Sequence, residues 1–325
     1  MTTPIDSQRI LGASGLGVPA LGIGTNKWGS SRGKSNAEIF RTFQAYLDSG
    51  MAFFDTAEVY GGGNSERVLG NCMRKDTRPV FIASKFAPFP TRLSSHALMD
   101  SLDASLGRLG LEQIDLYMIH WPYTLLRIDA LMDMLALAVR IGKVRAVGVS
   151  NYDARQMRRA AARLARYNVP LAANEVHYSL FHRLPETNGV LETCQELNVA
   201  LIAYRPLESG LLQGQADQPA LPALSGQRTS LLPLPGQRTR QEQSAKLRET
   251  LQTIASRHNR TISQVALNWL LCKDELVIPI PGSTSVTHVL ENLGTLSWKL
   301  SDEEFTEIDQ ASDLWRKRAE REPIV

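Results

Sequence analysis

Eight short apolar runs, separated by longer stretches of helical period, constrain this sequence more than any other feature. They read ALGIGT at 20–25, AFFDT at 52–56, VFIAS at 80–84, IDLYMIH at 114–120, RAVGVS at 145–150, LAANEV at 171–176, VALIAY at 199–204 and LVIPI at 276–280. Strands that alternate with helices pair in parallel, each crossover being made by the helix between them. Helix starts are marked by Ser35 with Glu38, Thr261 with Gln264 and Ser301 with Glu304, all at capping-box spacing. Eight such units in 325 residues predict an α/β fold of one domain, a (β/α)8 TIM barrel over 1–325. An open doubly wound sheet is the competing architecture.

Three segments depart from the alternation. Gly12, Gly15 and Gly17 punctuate a stretch ahead of the first strand, which predicts an N-terminal β-hairpin closing the barrel floor. After the seventh strand, 208–240 is rich in Gly, Pro, Gln and Ser and repeats GQRT at 226–229 and 236–239. A connection that long is a lid or a loose insertion, and Leu231, Leu232 and Leu234 favour a lid because they give it something to bury. A tail at 313–325, containing Trp315, ends the chain.

A content of 43% hydrophobic and 21% charged residues is that of a full globular core. The net charge of +3 comes without a basic stripe, so no nucleic-acid partner is expected. No apolar run reaches the ~20 residues of a membrane span, and MTTPIDSQRI does not read as a secretory leader. Cys72, Cys194 and Cys272 are odd in number and far apart, which predicts reduced, packed thiols, no metal site and a cytoplasmic location. The oligomeric state is left open.

In a barrel, side chains converge at the C-terminal strand ends. Asp55, Lys85, His120, Ser150 with Asn151, Asn174 with Glu175, and Tyr204 end or nearly end successive runs, and Tyr60 follows Asp55 closely. Singly, each has a structural explanation as a cap, a solvated charge or a core residue. Together, Asp55, Tyr60, Lys85 and His120 suit carbonyl reduction. Hydride addition leaves charge on the oxygen, so a proton donor is needed there. A phenol is a weak acid, a nearby ammonium stabilises its phenolate, and a carboxylate holds the ammonium in place. A histidine can orient the substrate oxygen. No metal is required.

At these residues the chain resembles the aldo-keto reductase family. FFDTAEVYGGGNSERVLG at 53–70, ASKF at 83–86, DLYMIHWP at 115–122, KVRAVGVSNY at 143–152, IAYRPLESGLL at 202–212 and IPIPGSTSVTHVLEN at 278–292 match its segments in order. The resemblance implies an NADPH-dependent oxidoreductase interconverting a carbonyl and an alcohol, with Tyr60 as general acid in reduction. It further implies that Ser150, Asn151, Asn174 and Glu175 hold the nicotinamide carboxamide and that Tyr204 stacks on the ring. Asp55 counts among the cofactor-binding residues. Gly24, Thr25, Leu207 and Ser209 would approach the pyrophosphate, with Arg205 placing a cation beside it. Ser283, Thr284, His288, Glu291 and Asn292 would face the adenosine end.

Three departures stand out. Glu175 replaces a customary Gln, and a carboxylate accepts but cannot donate, so its contact is altered or Glu175 is protonated. Arg205 replaces a Ser. Gly282 and His288 stand where many members carry Lys and Arg for the 2′-phosphate, which weakens that grip, although NADPH is still favoured over NADH. GASGLG at 12–17 is a decoy for a Rossmann turn, since it lacks the strand-to-helix setting. Trp28, Phe86, Trp121 and Tyr123 are expected to line an apolar substrate pocket. Two other readings compete: Lys85 as a Schiff-base nucleophile, and a non-catalytic sensor of the nucleotide.

Overall fold

Parallel pairing joins all eight expected strands. The structure, a computed structural model of the chain, describes residues 4–30, 34–208 and 237–319. The expected lid at 208–240 therefore lies outside the described residues apart from Glu208 and the turn from 237, and so do Ser209 and residues 320–325 of the tail. The strands are β3 (Ile23–Gly24), β4 (Phe53–Asp55), β5 (Phe81–Phe86), β6 (Ile114–Ile119), β7 (Val144–Ser150), β8 (Leu171–His177), β9 (Ala200–Tyr204) and β10 (Val277–Ile280), paired in chain order. Between them run α1 (Asn36–Asp48), α2 (Asn64–Lys75), α3 (Ala97–Leu109), α4 (Ile128–Arg140), α5 (Ala154–Ala165), α6 (Val190–Leu197), α7 (Gln237–His258) and α8 (Ile262–Lys273). After β10 come α9 (Val286–Leu293), α10 (Asp302–Ala311) and α11 (Asp313–Ala319). The three expected capping boxes form, and a fourth joins Asp153 to Gln156. All three cysteines are free. Among the described residues no helix is long and apolar enough to cross a membrane.

The sheet closes, which excludes the open architecture. Gly22 N–H donates to Pro279 O at 3.0 Å, Gly24 N–H donates to Pro281 O at 3.2 Å, and Gly24 bridges Gly282 in parallel. The seam is thin for a covalent reason. Pro279 and Pro281 have no N–H, so at those positions β10 can accept from β3 but cannot donate back. This accounts for β3 being two residues long where the sequence predicts a strand over 20–25.

The predicted hairpin is present, with β1 (Gln8–Ile10) antiparallel to β2 (Gly17–Pro19). Leu11 and Val18 pack with Phe53, Phe81, Leu116, Ala146, Ala200 and Ile278, the lower layer of the barrel interior, and so close its floor. At the hairpin tip Gly12 has φ of 51°, and a Cβ there would sit 2.6 Å from the carbonyl oxygens of Ala172 and Asn198. Gly12→Ala is expected to cost about 1–3 kcal/mol, read as a lower denaturant midpoint with unchanged slope.

A buried ionic knot ties the C-terminal helices to the loop after β8. Arg183, fully buried, donates to Glu186 (2.7 and 2.6 Å), to Asp309 Oδ1 (2.7 Å) and to Ser312 Oγ (2.8 Å), over the ring of Trp269. Lys273 adds a second cation, 2.9 Å from Glu186. In the tail, Trp315 packs edge-on against Phe181, so α11 reaches the loop after β8.

Candidate active site

The two-residue period of a strand decides which side chains reach the barrel mouth. Phe53, Phe81, Ala146, Ala173 and Ile202 belong to the interior cluster, so their strand parity sends Asp55, Lys85, Ser150, Glu175 and Tyr204 inward above them. Side chains one position away belong to the outer cluster between strands and helices, which includes Phe54, Ile82, Phe86, Val149 and Val176. Asn174 follows that outward parity. Its Nδ2 donates to Tyr152 O at 3.0 Å, so its amide is engaged towards α5 and away from the mouth.

Lys85 is the hub. Its fully buried Nζ donates to Asp55 Oδ1 at 2.6 Å and Oδ2 at 2.7 Å, to Thr56 O at 3.0 Å and to Tyr60 OH at 3.5 Å. Glu175 Oε2 lies 3.1 Å from the same nitrogen yet has no hydrogen-bond partner. Burial alone would lower the Lys85 pKa, but the charge of Asp55, the largest opposing influence, helps to outweigh it and hold the group charged. A lysine kept as ammonium is a poor nucleophile, which counts against Schiff-base chemistry.

Tyr60 stands in a turn ending in Gly61, Gly62 and Gly63, all at positive φ, before α2 begins. At Gly63 a Cβ would also meet Arg108 Cδ at 2.8 Å, so a side chain there would have to displace the Arg108 side chain as well as adopt a strained φ. Burial drives the Tyr60 phenol above its ordinary range, and the pull of Lys85 in the other direction does not cancel it. The phenol is therefore loaded with its proton across the neutral range. His120 faces Tyr60 edge-on, with ring centroids 5.7 Å apart. Burial, with the charge of Lys85, lowers the His120 pKa to about 3. His120 is thus expected to stay neutral from pH 5 to 8, so its ring nitrogens should show no titration by NMR over that interval.

Asn151, at φ of 61°, connects three strand ends. Its Nδ2 donates to His120 O at 3.2 Å and Ser150 Oγ at 2.9 Å, and its Oδ1 accepts from Tyr204 OH at 3.0 Å. Beneath Tyr204 lies a stack that the sequence reading missed. His177 is parallel to Tyr204 at 5.3 Å, and His182 is parallel to His177 at 4.0 Å. Glu208 accepts from Ser179 Oγ at 2.7 Å and meets His177 Nε2 at 2.6 Å. Inward parity at Glu175 already placed His177 at the mouth. Arg205 and Glu208, at φ of 51° and 47°, hold the turn after β9 in a left-handed form that non-glycine residues rarely adopt. Leu207 is half-buried there, and Arg205 points to solvent.

Across the seam, Gly24 approaches Ile280 O closely enough that a Cβ would lie 3.3 Å from it. The Thr25 hydroxyl is turned inward, donating to Asp55 O at 2.8 Å. Ser283 is buried, Thr284 half-buried and His288 exposed around the start of α9, where Ser285 caps the helix. Glu291 accepts from Thr261 Oγ1 at 2.9 Å, and Asn292 is buried with Val289 on the inner face of α9.

The expected aromatic lining needs correction. Trp28 is fully buried, and its indole N–H donates to Ser283 O at 2.8 Å, so it braces the seam. Phe86 points outward, because Lys85 beside it points inward, and it lies under the Arg92 guanidinium. Trp121 packs at a tilt against His120, with ring centroids 4.7 Å apart, and meets Phe89 edge-on at 5.7 Å. Tyr123 is 69% exposed, and Leu93 and Leu125 are more exposed still. A latch also went unread: Glu58, just before Tyr60, accepts from Ala87 N–H at 2.6 Å and pairs with Arg92 at 2.5 Å. It ties the Tyr60 turn to the loop after β5.

Comparison with known proteins yields one family. The model of the aldo/keto reductase family matches residues 20–313. The chain is 35% identical over 317 residues to the chloroplastic pyridoxal reductase of Arabidopsis thaliana, covering 91% of this chain and 84% of that one. It is 33% identical over 311 residues to the aldo-keto reductase yakc [NADP(+)] of Schizosaccharomyces pombe, covering 91% and 89%. Among solved structures, a thermostable aldo-keto reductase in complex with epalrestat superimposes with a TM-score of 0.77 at 34% identity, covering 94% and 99%. An aldo-keto reductase from Klebsiella pneumoniae in complex with NADPH gives 0.73 at 26% identity, covering 94% of each chain.

Proposed function

The chain belongs to the aldo/keto reductase family, and on that premise we propose that it reduces an aldehyde or ketone to the alcohol with NADPH, Tyr60 donating the proton. The observation that carries this reading is the buried Asp55–Lys85–Tyr60 line at the barrel mouth, with the ring of neutral His120 set edge-on to the phenol. When bound, the cofactor supplies the hydride. Charge that then develops on the carbonyl oxygen is met by the Tyr60 O–H, which gives up its proton, while His120 orients the oxygen. Asp55 holds Lys85 charged, and Lys85 steadies the phenolate that remains.

The residues present suit a dinucleotide. Gly24 and Gly282 leave bare backbone on both lips of the seam, Tyr204 offers a flat ring, and Glu175 keeps a buried acceptor without a partner. Asn151 and Ser150 stand beside that ring, and Ser283, Thr284 and His288 surround the start of α9. The choice of NADPH is supported by the NADPH complex of the Klebsiella protein and the NADP(+) of the fission-yeast relative. The exposed Phe89, packed on half-buried Trp121, and the exposed Tyr123 support a hydrophobic carbonyl substrate.

Titration of cofactor fluorescence with NADPH and NADH, followed by a carbonyl panel at the nicotinamide absorbance, tests the reading. Tighter binding of NADPH and turnover of at least one hydrophobic carbonyl are expected. Tight binding with no turnover across the panel would favour a sensor of the nucleotide instead.

A further inference from the structure

Resting on the reading of Tyr60 as proton donor, we propose that Glu175 is kept as the neutral acid beside Lys85 and is the proton store from which Tyr60 is reloaded between turnovers. An ammonium has three N–H groups. Those of Lys85 are directed to the two oxygens of Asp55, to Thr56 O and, more weakly, to Tyr60 OH. None is left well aimed at Glu175, whose Oε2 lies 3.1 Å away but out of line for a hydrogen bond, with Asp55 as its neighbouring carboxyl, although its side chain is only 3% exposed. One ammonium offsets one carboxylate, and Asp55, held through both oxygens, takes that place. A second buried carboxylate sharing that single ammonium would be strongly disfavoured, so the pair retains one proton, and it resides on Glu175, the carboxyl held less directly.

The surrounding groups agree. Asp55 faces Glu175 from β4, Tyr60 from the following turn, Lys85 from β5 and Tyr204 from β9, while β7 contributes the uncharged Ser150 and the loop after β6 the neutral His120. Burial and the charge of Asp55 both push the Glu175 carboxyl well above the usual range. The customary glutamine at this position has no proton to give, so the device belongs to this chain's own substitution.

The steps balance. Tyr60 O–H breaks as the alkoxide is protonated, leaving a phenolate. A Lys85 N–H proton passes to that phenolate, and the Glu175 O–H proton passes to the Lys85 amine. Glu175 is left as carboxylate and takes a proton from solvent once the product leaves.

The isosteric Glu175→Gln tests this in two ways. Infrared difference spectra of unliganded wild type against the variant at neutral pH should show one carboxylic-acid C=O band lost, and absence of that band overturns the proposal whatever the protein turns over. In reduction, the steady-state rate of the variant should fall about tenfold further than its single-turnover rate, with recovery as a small buffer acid such as acetic acid is added. Equal losses in both phases without recovery, or no loss in either, overturn the reloading role while leaving the reductase reading intact. A wild type that turns over no carbonyl sinks the reductase reading, and the reloading role with it.

Discussion

Tyr60→Phe is expected to lower kcat/KM for carbonyl reduction by about 10²–10⁴-fold while leaving the affinity for NADPH within about twofold. The substitution removes one hydroxyl from a turn whose backbone is set by Gly61–Gly63 and by the Glu58 latch, so the site keeps its shape. It removes the proton donor alone. Burial keeps the Tyr60 phenol protonated beyond its ordinary range, so reduction by the wild type should not decline through loss of that proton below about pH 10, where a free tyrosine titrates. Stopped-flow reduction and fluorescence titration separate the two quantities. If affinity falls as far as the rate, Tyr60 is a structural residue of the cofactor site.

Arg183→Met is expected to destabilise the fold by about 3–5 kcal/mol, the largest stability effect foreseen here. The substitution leaves the nearly buried Glu186 and the part-exposed Asp309 with Lys273 as their cation, Tyr178 OH still donating to Glu186. Burial would raise the Glu186 pKa, but the hydrogen bonds and charge of Arg183, with the charge of Lys273, outweigh it and hold the carboxyl below its usual value. A depressed carboxyl stabilises the folded state above its unfolded value and loses that contribution as pH falls through the folded one. The gap between wild type and variant should therefore be widest near neutrality and narrow below about pH 4, as urea denaturation at several pH values would show. A gap that stays constant with pH would mean that the knot acts through packing alone.

The barrel was legible because parallel strands and their crossovers leave a repeating signature, and Asp55, Lys85 and His120 because they sit at strand ends. What local sequence could not carry was contact at long range. The indole of Trp28 is claimed by Ser283, 255 positions away, and nothing around Trp28 announces it. Glu208 finds His177, 31 positions earlier, in the same way. Phe86 is a different kind of miss: once Lys85 faces inward, alternation alone sends Phe86 outward. The Asp153–Gln156 capping box was equally available from spacing. The short β3 follows from the two prolines of the opposite strand, a relation visible only once closure brings 22–24 beside 279–282.

That joint has a further consequence. A cylinder opens where its staves are least fastened, and here one stave offers carbonyls without amides in return. The lips of the opening carry Gly24 and Gly282, with Trp28 and Ser283 as a clasp on the outside. A dinucleotide laid across both lips would act as a rivet, so occupancy and resistance to heat should rise together, with amide exchange at Gly22 and Gly24 slowing first.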